Sequence, residues 1–199
     1  MYIAEHNAFF IHIPKCGGNS IEFYFLREAG IKVDVQNSNS VFNANKQFIL
    51  GKHQGKQTAH YAVSELQTEP AYLNADYRFT IVRHPVQRFL SEHAWRNKHS
   101  MKCDIDKLLT ELQTGNSYRL KSAWDYVSID DQNQMHNVFK LEEPEHTKAT
   151  LSEKFNIEFE MPHENVSTKE KPILTQKQLE IIRTVWARDF EEFDYEIDQ

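Results

Sequence analysis

The chain has 199 residues, 40% of them hydrophobic and 12% aromatic, with six glycines and six prolines. This length suffices for one domain with a substantial core, and the composition excludes collagen-like and disordered chains. The net charge of −6 discourages anionic partners at first sight. However, six of the 29 acidic residues lie in the last eleven positions, so residues 1–188 carry equal numbers of acidic and basic residues.

The two cysteines, Cys16 and Cys103, belong to no CxxC pair. We therefore expect a reducing compartment and no structural zinc site. The first apolar run is short and ends at Pro14 and Lys15, which excludes a signal peptide and a membrane span of roughly 20 apolar residues. The sequence predicts a cytoplasmic protein, provided that no targeting segment has been removed.

The first predicted unit is a strand, a glycine-rich turn and a helix. Residues 8–13 (AFFIHI) are typical of a strand buried on both faces of a parallel sheet. The turn PKCGGNS follows, and apolar residues then recur at helical spacing from Ile21 until Gly30 supplies a C-terminal stop.

A polar excursion over residues 34–57 separates this unit from a second one. HYAVSEL, residues 60–66, has a helical apolar period, and Glu69-Pro70 is expected to end that helix. YRFTIV, residues 77–82, predicts a second strand. A polar turn and Pro85 lead from it into a helix with an apolar residue at every third or fourth position.

The remaining pattern predicts helices over 105–112 and 149–155 and a strand over 138–141. Thr175 and Gln178 form a capping-box pattern before a last helix, on whose apolar stripe Trp186 is assigned to the core. Because strands alternate with helices, we predict a single three-layer α/β domain over residues 1–199 with a central parallel sheet.

Two turns in this scheme suit anions. In the first, backbone N–H groups and the helix dipole converge on one point, and Lys15 adds a full positive charge. The Walker A pattern is absent, because the lysine precedes the glycine pair. In the second, Arg83 ends a strand and Arg88 and Ser91 follow in the next helix. A chance lysine and a solvated basic helix face are the alternative interpretations, but two such turns at successive strand ends favour a ligand site.

FIHIPKCGGNSIE resembles the 5′-phosphosulfate loop, and FTIVRHPVQRFLS the 3′-phosphate motif, of sulfotransferases that use 3′-phosphoadenosine 5′-phosphosulfate (PAPS), in their carbohydrate-type branch. HYAVSEL resembles the segment that carries the family's catalytic histidine. The resemblance implies a fold with a P-loop-NTPase-like phosphosulfate loop and PAPS as co-substrate. We expect no metal, because a sulfuryl group carries less charge than a phosphoryl group. The residues that the resemblance assigns to PAPS are Lys15, Cys16, Gly17, Gly18, Asn19, Ser20, Arg83, Ser91 and, beside them, Arg88.

Sulfuryl transfer is an in-line displacement, so Lys15 would stabilise charge that develops on the departing phosphate. The acceptor hydroxyl must lose a proton, and histidine is suited to accept it near neutral pH. We assign the base to His60, which corresponds to the family's histidine, with His53 as second candidate. His12 is interpreted as structural, and His84 as a residue that shapes its turn or contacts the donor.

Several assignments remain alternatives. Cys16 could be acidified by the helix terminus, although a catalytic thiol is not the preferred reading. Trp124 is a candidate for contact with the acceptor, which we expect to be a hydroxyl on a glycan or small molecule and not a nucleic acid. Rival functions are a non-catalytic binder of the bisphosphate nucleotide and a P-loop small-molecule kinase. The kinase would require Mg²⁺ ligands that the motifs lack.

Overall fold

The computed structural model describes residues 1–32, 60–161 and 172–196. In chain order its strands are β1 (Tyr2–Ile3), β2 (Ala8–Ile11), β3 (Tyr77–Val82), β4 (Ser128–Ile129), β5 (Gln132–Asn133) and β6 (Asn137–Lys140). The central sheet has the order β1-β2-β3-β6, in which β2, β3 and β6 are parallel and β1 is antiparallel at the edge. Strands β4 and β5 form a separate hairpin.

The α-helices are α1 (Gly18–Glu28), α2 (Pro70–Leu73), α3 (Pro85–Lys98), α4 (Ile105–Thr114), α5 (Ala123–Val127), α6 (Pro144–Phe155), α7 (Gln176–Val185) and α8 (Ala187–Glu192). Short 3₁₀ turns span Ala4–His6, Val63–Glu65 and Tyr118–Leu120. None of the helices in the described ranges is long and apolar enough to cross a membrane.

The sheet has apolar side chains on both faces, because successive residues of a strand point to opposite sides. Phe10 and Phe79 pack with residues of α1 and α6 on one face. Phe9 and Ile11 pack with the Val63–Glu65 turn, α2 and α5 on the other. The prediction of a three-layer α/β fold with a mostly parallel central sheet is confirmed.

A further apolar cluster joins α3, α4 and α7, which contribute Phe89, Leu108 and Ile182. Trp186 lies in this cluster with 1% of its surface exposed, and its indole N–H donates to the carbonyl oxygen of Leu120 at 3.0 Å. The assignment of Trp186 to the core is therefore confirmed.

The predicted strand over 77–82 and the predicted capping box at Thr175 are both present. The predicted helix over 60–66 is wrong, because Tyr61, Ala62 and Leu66 lie outside any helix and Val63–Glu65 form a short 3₁₀ turn. Glu69 also does not end a helix. Its carboxylate accepts a hydrogen bond from the backbone N–H of Ala71 and begins α2, with Pro70 at the first helical position.

Candidate functional site

The site lies at the edge of the sheet where the parallel strands end. In the pairing of β2 with β3, Ile11 lies opposite Thr80, and in the pairing of β3 with β6, Val82 lies opposite Lys140. The glycine-rich turn after β2 and the arginine turn after β3 therefore meet at this edge. The sequence predicted this placement from the order of the strands alone.

The turn after β2 is tightly packed against the sheet. A Cβ atom on Gly18 would lie 2.2 Å from Cδ2 of His12, and one on Gly17 would lie 2.7 Å from a methyl carbon of Leu141. Gly17 also has φ +80°, a conformation that favours glycine. Both glycines thus allow the turn to approach the strand ends, which brings the backbone of the first turn of α1 to the edge of the sheet.

The N-terminus of α1 is available to an anion. No described side chain caps its first turn, which begins at Gly18 and includes Asn19. The first N–H groups of a helix have no partner within the helix, and together with the helix dipole they attract negative charge. The turn residue Lys15, shortly before this terminus in the chain, has φ +67°, a rare conformation for a lysine.

Lys15 is half-buried among charged and aromatic residues. Its Nζ atom lies 5.5 Å from the centre of the Trp95 ring. Burial lowers the pKa of Lys15 to about 8, an effect that Glu92 opposes and Arg119 and Arg83 reinforce. A partly desolvated ammonium is stabilised by an anion bound beside it, so a phosphate would interact strongly with Lys15.

Arg83 directly follows β3 and is half-buried at the same edge. Within the described ranges, no hydrogen bond or ion pair joins its side chain to another residue. Ser91 lies on α3, also half-buried. Both side chains retain donors for a ligand, as the phosphate assignment requires.

Arg88 has different surroundings. It is 1% exposed, and its guanidinium donates to the carbonyl oxygens of Pro14 (3.1 Å) and Lys121 (2.7 Å). It also pairs with the carboxylate of Asp189 at 3.4 Å. The guanidinium thus donates to other groups of the protein and anchors the turn at Pro14. The sequence had instead suggested a place beside the 3′-phosphate.

Asp189 is itself buried, and the N–H groups of Ala123 and Trp124 donate to it at 2.8 Å. The first of the six acidic residues near the C-terminus thus belongs to the interior.

The indole N–H of Trp124 donates to Asp131 at 3.0 Å, and the side chain of Trp124 is 7% exposed. Trp124 therefore offers little surface to an acceptor.

His60 lies beside the turn after β2. Its Nδ1 atom is 3.0 Å from the carbonyl oxygen of His12. Because a carbonyl oxygen can only accept, Nδ1 carries the hydrogen and Nε2 keeps a lone pair. Burial lowers the pKa of His60 to about 2, and the neighbouring His12, Arg119 and Lys15 reinforce this effect. The imidazole is thus neutral, with one nitrogen able to accept a proton.

His12 is buried, and its Nδ1 lies 2.9 Å from Oε1 of the buried Glu22 on α1. Its ring centre is 4.5 Å from that of His60, and the same ring occupies the space that a Cβ on Gly18 would need. This agrees with the structural role predicted for His12. His84 is also buried, and it contacts Phe190 and Tyr195 while its backbone N–H donates to Glu142.

Burial raises the pKa of the Cys16 thiol to about 12. The expectation that the helix terminus could acidify this thiol is therefore wrong, since desolvation outweighs the nearby positive charges. The second base candidate, His53, lies outside the described residues.

Sequence reasoning missed a network of charged side chains near Lys15. Glu92 on α3 is 1% exposed and accepts two hydrogen bonds from Arg119, each at 2.9 Å. It also accepts one from Arg96, at 2.9 Å. The available signal was that Glu92 is the lone acidic residue in the basic stretch from Arg83 to Lys102, which a buried ion pair explains better than a solvated helix face.

A family model described as a sulfotransferase family matches residues 1–133, which is about two thirds of the chain and contains both turns, His60 and Arg119. No curated protein and no solved structure matches the chain significantly.

Proposed function

Because the chain belongs to the sulfotransferase family, we propose that it transfers a sulfuryl group from PAPS to an acceptor hydroxyl, on a glycan or a small molecule. One observation carries the proposal. At a single sheet edge, an uncapped helix N-terminus and Lys15 lie beside Arg83 and beside a neutral histidine, His60, whose Nε2 can accept a proton.

The donor side fits the charges of PAPS. The N–H groups at the start of α1 and the ammonium of Lys15 would bind the 5′-phosphosulfate, and Arg83 with Ser91 would bind the 3′-phosphate. Lys15 would act most strongly as the bond to sulfur breaks, because negative charge then grows on the phosphate oxygen. Arg88 would support this site by holding the turn at Pro14.

On the acceptor side, Nε2 of His60 would take the proton of the attacking hydroxyl. Its pKa is low in the free protein because burial and the nearby cations disfavour a charged imidazole. The negative charges of a bound donor act in the opposite direction, so the pKa of His60 rises when the donor is in place. The base would thus become effective in the complex in which it is needed.

Binding of three nucleotides tests this proposal. Calorimetry should show tighter binding of adenosine 3′,5′-bisphosphate than of AMP, because only the former offers a phosphate to Arg83, and weaker binding of ATP. Arg83→Ala should reduce the affinity for the bisphosphate to that for AMP and leave AMP binding unchanged. Preference for ATP, or loss of activity in excess EDTA, would favour a metal-dependent kinase instead.

Transfer is tested with radiolabelled PAPS and a panel of glycans and hydroxylated small molecules. Labelled product on any acceptor supports the enzyme, and the chemistry of that acceptor decides between a carbohydrate and another hydroxyl. Tight binding of the bisphosphate with no product on the whole panel would favour the alternative of a non-catalytic nucleotide binder.

Nucleotide binding should weaken at alkaline pH. Lys15 has a pKa of about 8 in the free protein, and only its protonated form attracts a phosphate. Above pH 8 a growing fraction of the protein must take up a proton to bind, so the affinity should fall by about tenfold per pH unit. Calorimetry of the bisphosphate between pH 7 and 9.5 measures this fall. The Lys15→Ala variant should lack it, and an equal fall in both proteins would assign the titration to another group.

A further inference from the structure

A single turn connects the lysine and the histidine of the site. Arg119 lies in the 3₁₀ turn Tyr118–Leu120, and its guanidinium carbon is 3.9 Å from the centre of the Trp95 ring that Lys15 also contacts. The ring of the preceding residue, Tyr118, is 6.0 Å from the ring of His60. The turn therefore spans the gap between the donor side of the site and the base.

The guanidinium of Arg119 is held in one orientation. Its Nε and one terminal nitrogen donate to the two carboxylate oxygens of Glu92 at 2.9 Å each, and Glu92 is 1% exposed. Such a two-point contact fixes the plane of the guanidinium and uses two of its five N–H donors. Arg119 is thus positioned before any ligand binds, which is what electrostatic stabilisation of a transition state requires.

The charge of Arg119 acts on both sides of the gap. Burial is the main cause that lowers the pKa of Lys15, and Arg119 is the next one, ahead of Arg83. For His60, Arg119 follows burial and His12 and precedes Lys15. The positive charge of Arg119 thus disfavours the charged forms of both groups.

Building on the proposed function, we propose that Arg119 is a catalytic residue that donates hydrogen bonds to the sulfuryl oxygens during transfer, and that Glu92 positions it. In this step the acceptor oxygen forms a bond to sulfur while the bond from sulfur to the 5′-phosphate oxygen breaks, and the acceptor proton goes to Nε2 of His60. Arg119 would stabilise the sulfuryl group as it passes between the entering and leaving oxygens. Lys15 would stabilise the leaving 5′-phosphate oxygen.

The test compares Arg119→Ala with Arg96→Ala, because both arginines pair with Glu92 but only Arg119 lies beside Lys15 and His60. Turnover is measured with radiolabelled PAPS and the best acceptor of the panel, and with water as acceptor by release of labelled sulfate. Arg119→Ala should lower kcat by about 100-fold or more. Its affinity for adenosine 3′,5′-bisphosphate, which lacks the sulfuryl group, should stay within about threefold. Free guanidinium at a non-denaturing concentration should restore part of the activity to Arg119→Ala and none to Arg96→Ala.

Thermal unfolding and bisphosphate binding show whether each variant is folded. Equal losses of kcat in Arg119→Ala and Arg96→Ala, without rescue, would overturn the proposal and leave Arg119 as a structural partner of Glu92. A folded Arg119→Ala variant that loses bisphosphate affinity would also overturn it, because the guanidinium would then bind the nucleotide. A wild-type protein that neither binds the bisphosphate nor uses PAPS would overturn the proposed function together with this inference.

Discussion

Replacing Lys15 by alanine is expected to weaken both donor binding and the rate of sulfuryl transfer. The ammonium is half-buried, and burial lowers its pKa to about 8 in the free protein. A charged hydrogen bond to a phosphate is worth about 1.5–3 kcal/mol, so affinity for adenosine 3′,5′-bisphosphate should fall by about 10- to 100-fold. The loss of charge stabilisation on the leaving oxygen should lower kcat by about 100-fold in addition.

Lys98→Ala is the matched control, because Lys98 is an exposed lysine at the end of α3, away from the turn that contains Lys15. It removes the same net charge and should leave both affinity and kcat within about twofold. Similar losses in the two variants would mean that a general positive potential, and not a specific contact of Lys15, attracts the donor. Calorimetry and the radiolabel assay separate the two cases.

The elements that were predicted correctly depend on local signals. Strand β3 is a short β-branched and aromatic run between polar residues, and α3 begins at a proline and continues with an unbroken helical period. The segment over residues 60–66 failed because its apolar residues, Ala62, Val63 and Leu66, are buried equally well by one 3₁₀ turn. Periodicity over seven residues does not distinguish a helix from such a turn.

The parts of the candidate site that follow from the order of strands and turns could be predicted from the sequence. The parts that depend on ion pairs between residues far apart in the chain could not. The meeting of the two turns follows from parallel strands. The difference between Arg83, whose donors are unused in the described ranges, and the buried Arg88 depends on Asp189. That residue pairs with Arg88 from 101 residues away. Likewise Arg119 reaches Glu92 across 27 residues of chain. No local pattern indicates which of several arginines has a buried carboxylate partner.

Because of these ion pairs, the net charge of the chain does not describe the local charge at the sheet edge. Arg88 and Asp189 neutralise each other in the interior, and Glu92 compensates two arginines. Lys15 and Arg83, at the strand ends, have no ion pair in the described ranges. An overall charge of −6 is therefore compatible with an anionic donor, because the local charge at the sheet edge is positive.

The second large effect is expected for His60→Ala, which should lower kcat by about 100- to 10,000-fold, the usual contribution of a general base. Affinity for adenosine 3′,5′-bisphosphate should not decrease, because His60 is neutral in the free protein and offers no charge to a phosphate. The hydrogen bond from Nδ1 to the carbonyl oxygen of His12 implies that Nε2 performs the proton transfer. His60→Gln, which has no basic nitrogen at that position, should therefore be as inactive as His60→Ala.

His146→Ala serves as the control, since His146 is an exposed histidine on α6 whose ring lies 5.9 Å from that of Phe139. It should retain full kcat. Should His60→Ala bind the bisphosphate normally and also retain turnover, the base is another group, and His53 becomes the first residue to replace. A loss of both binding and turnover in His60→Ala would instead assign His60 to the support of the turn after β2, through its contacts with His12.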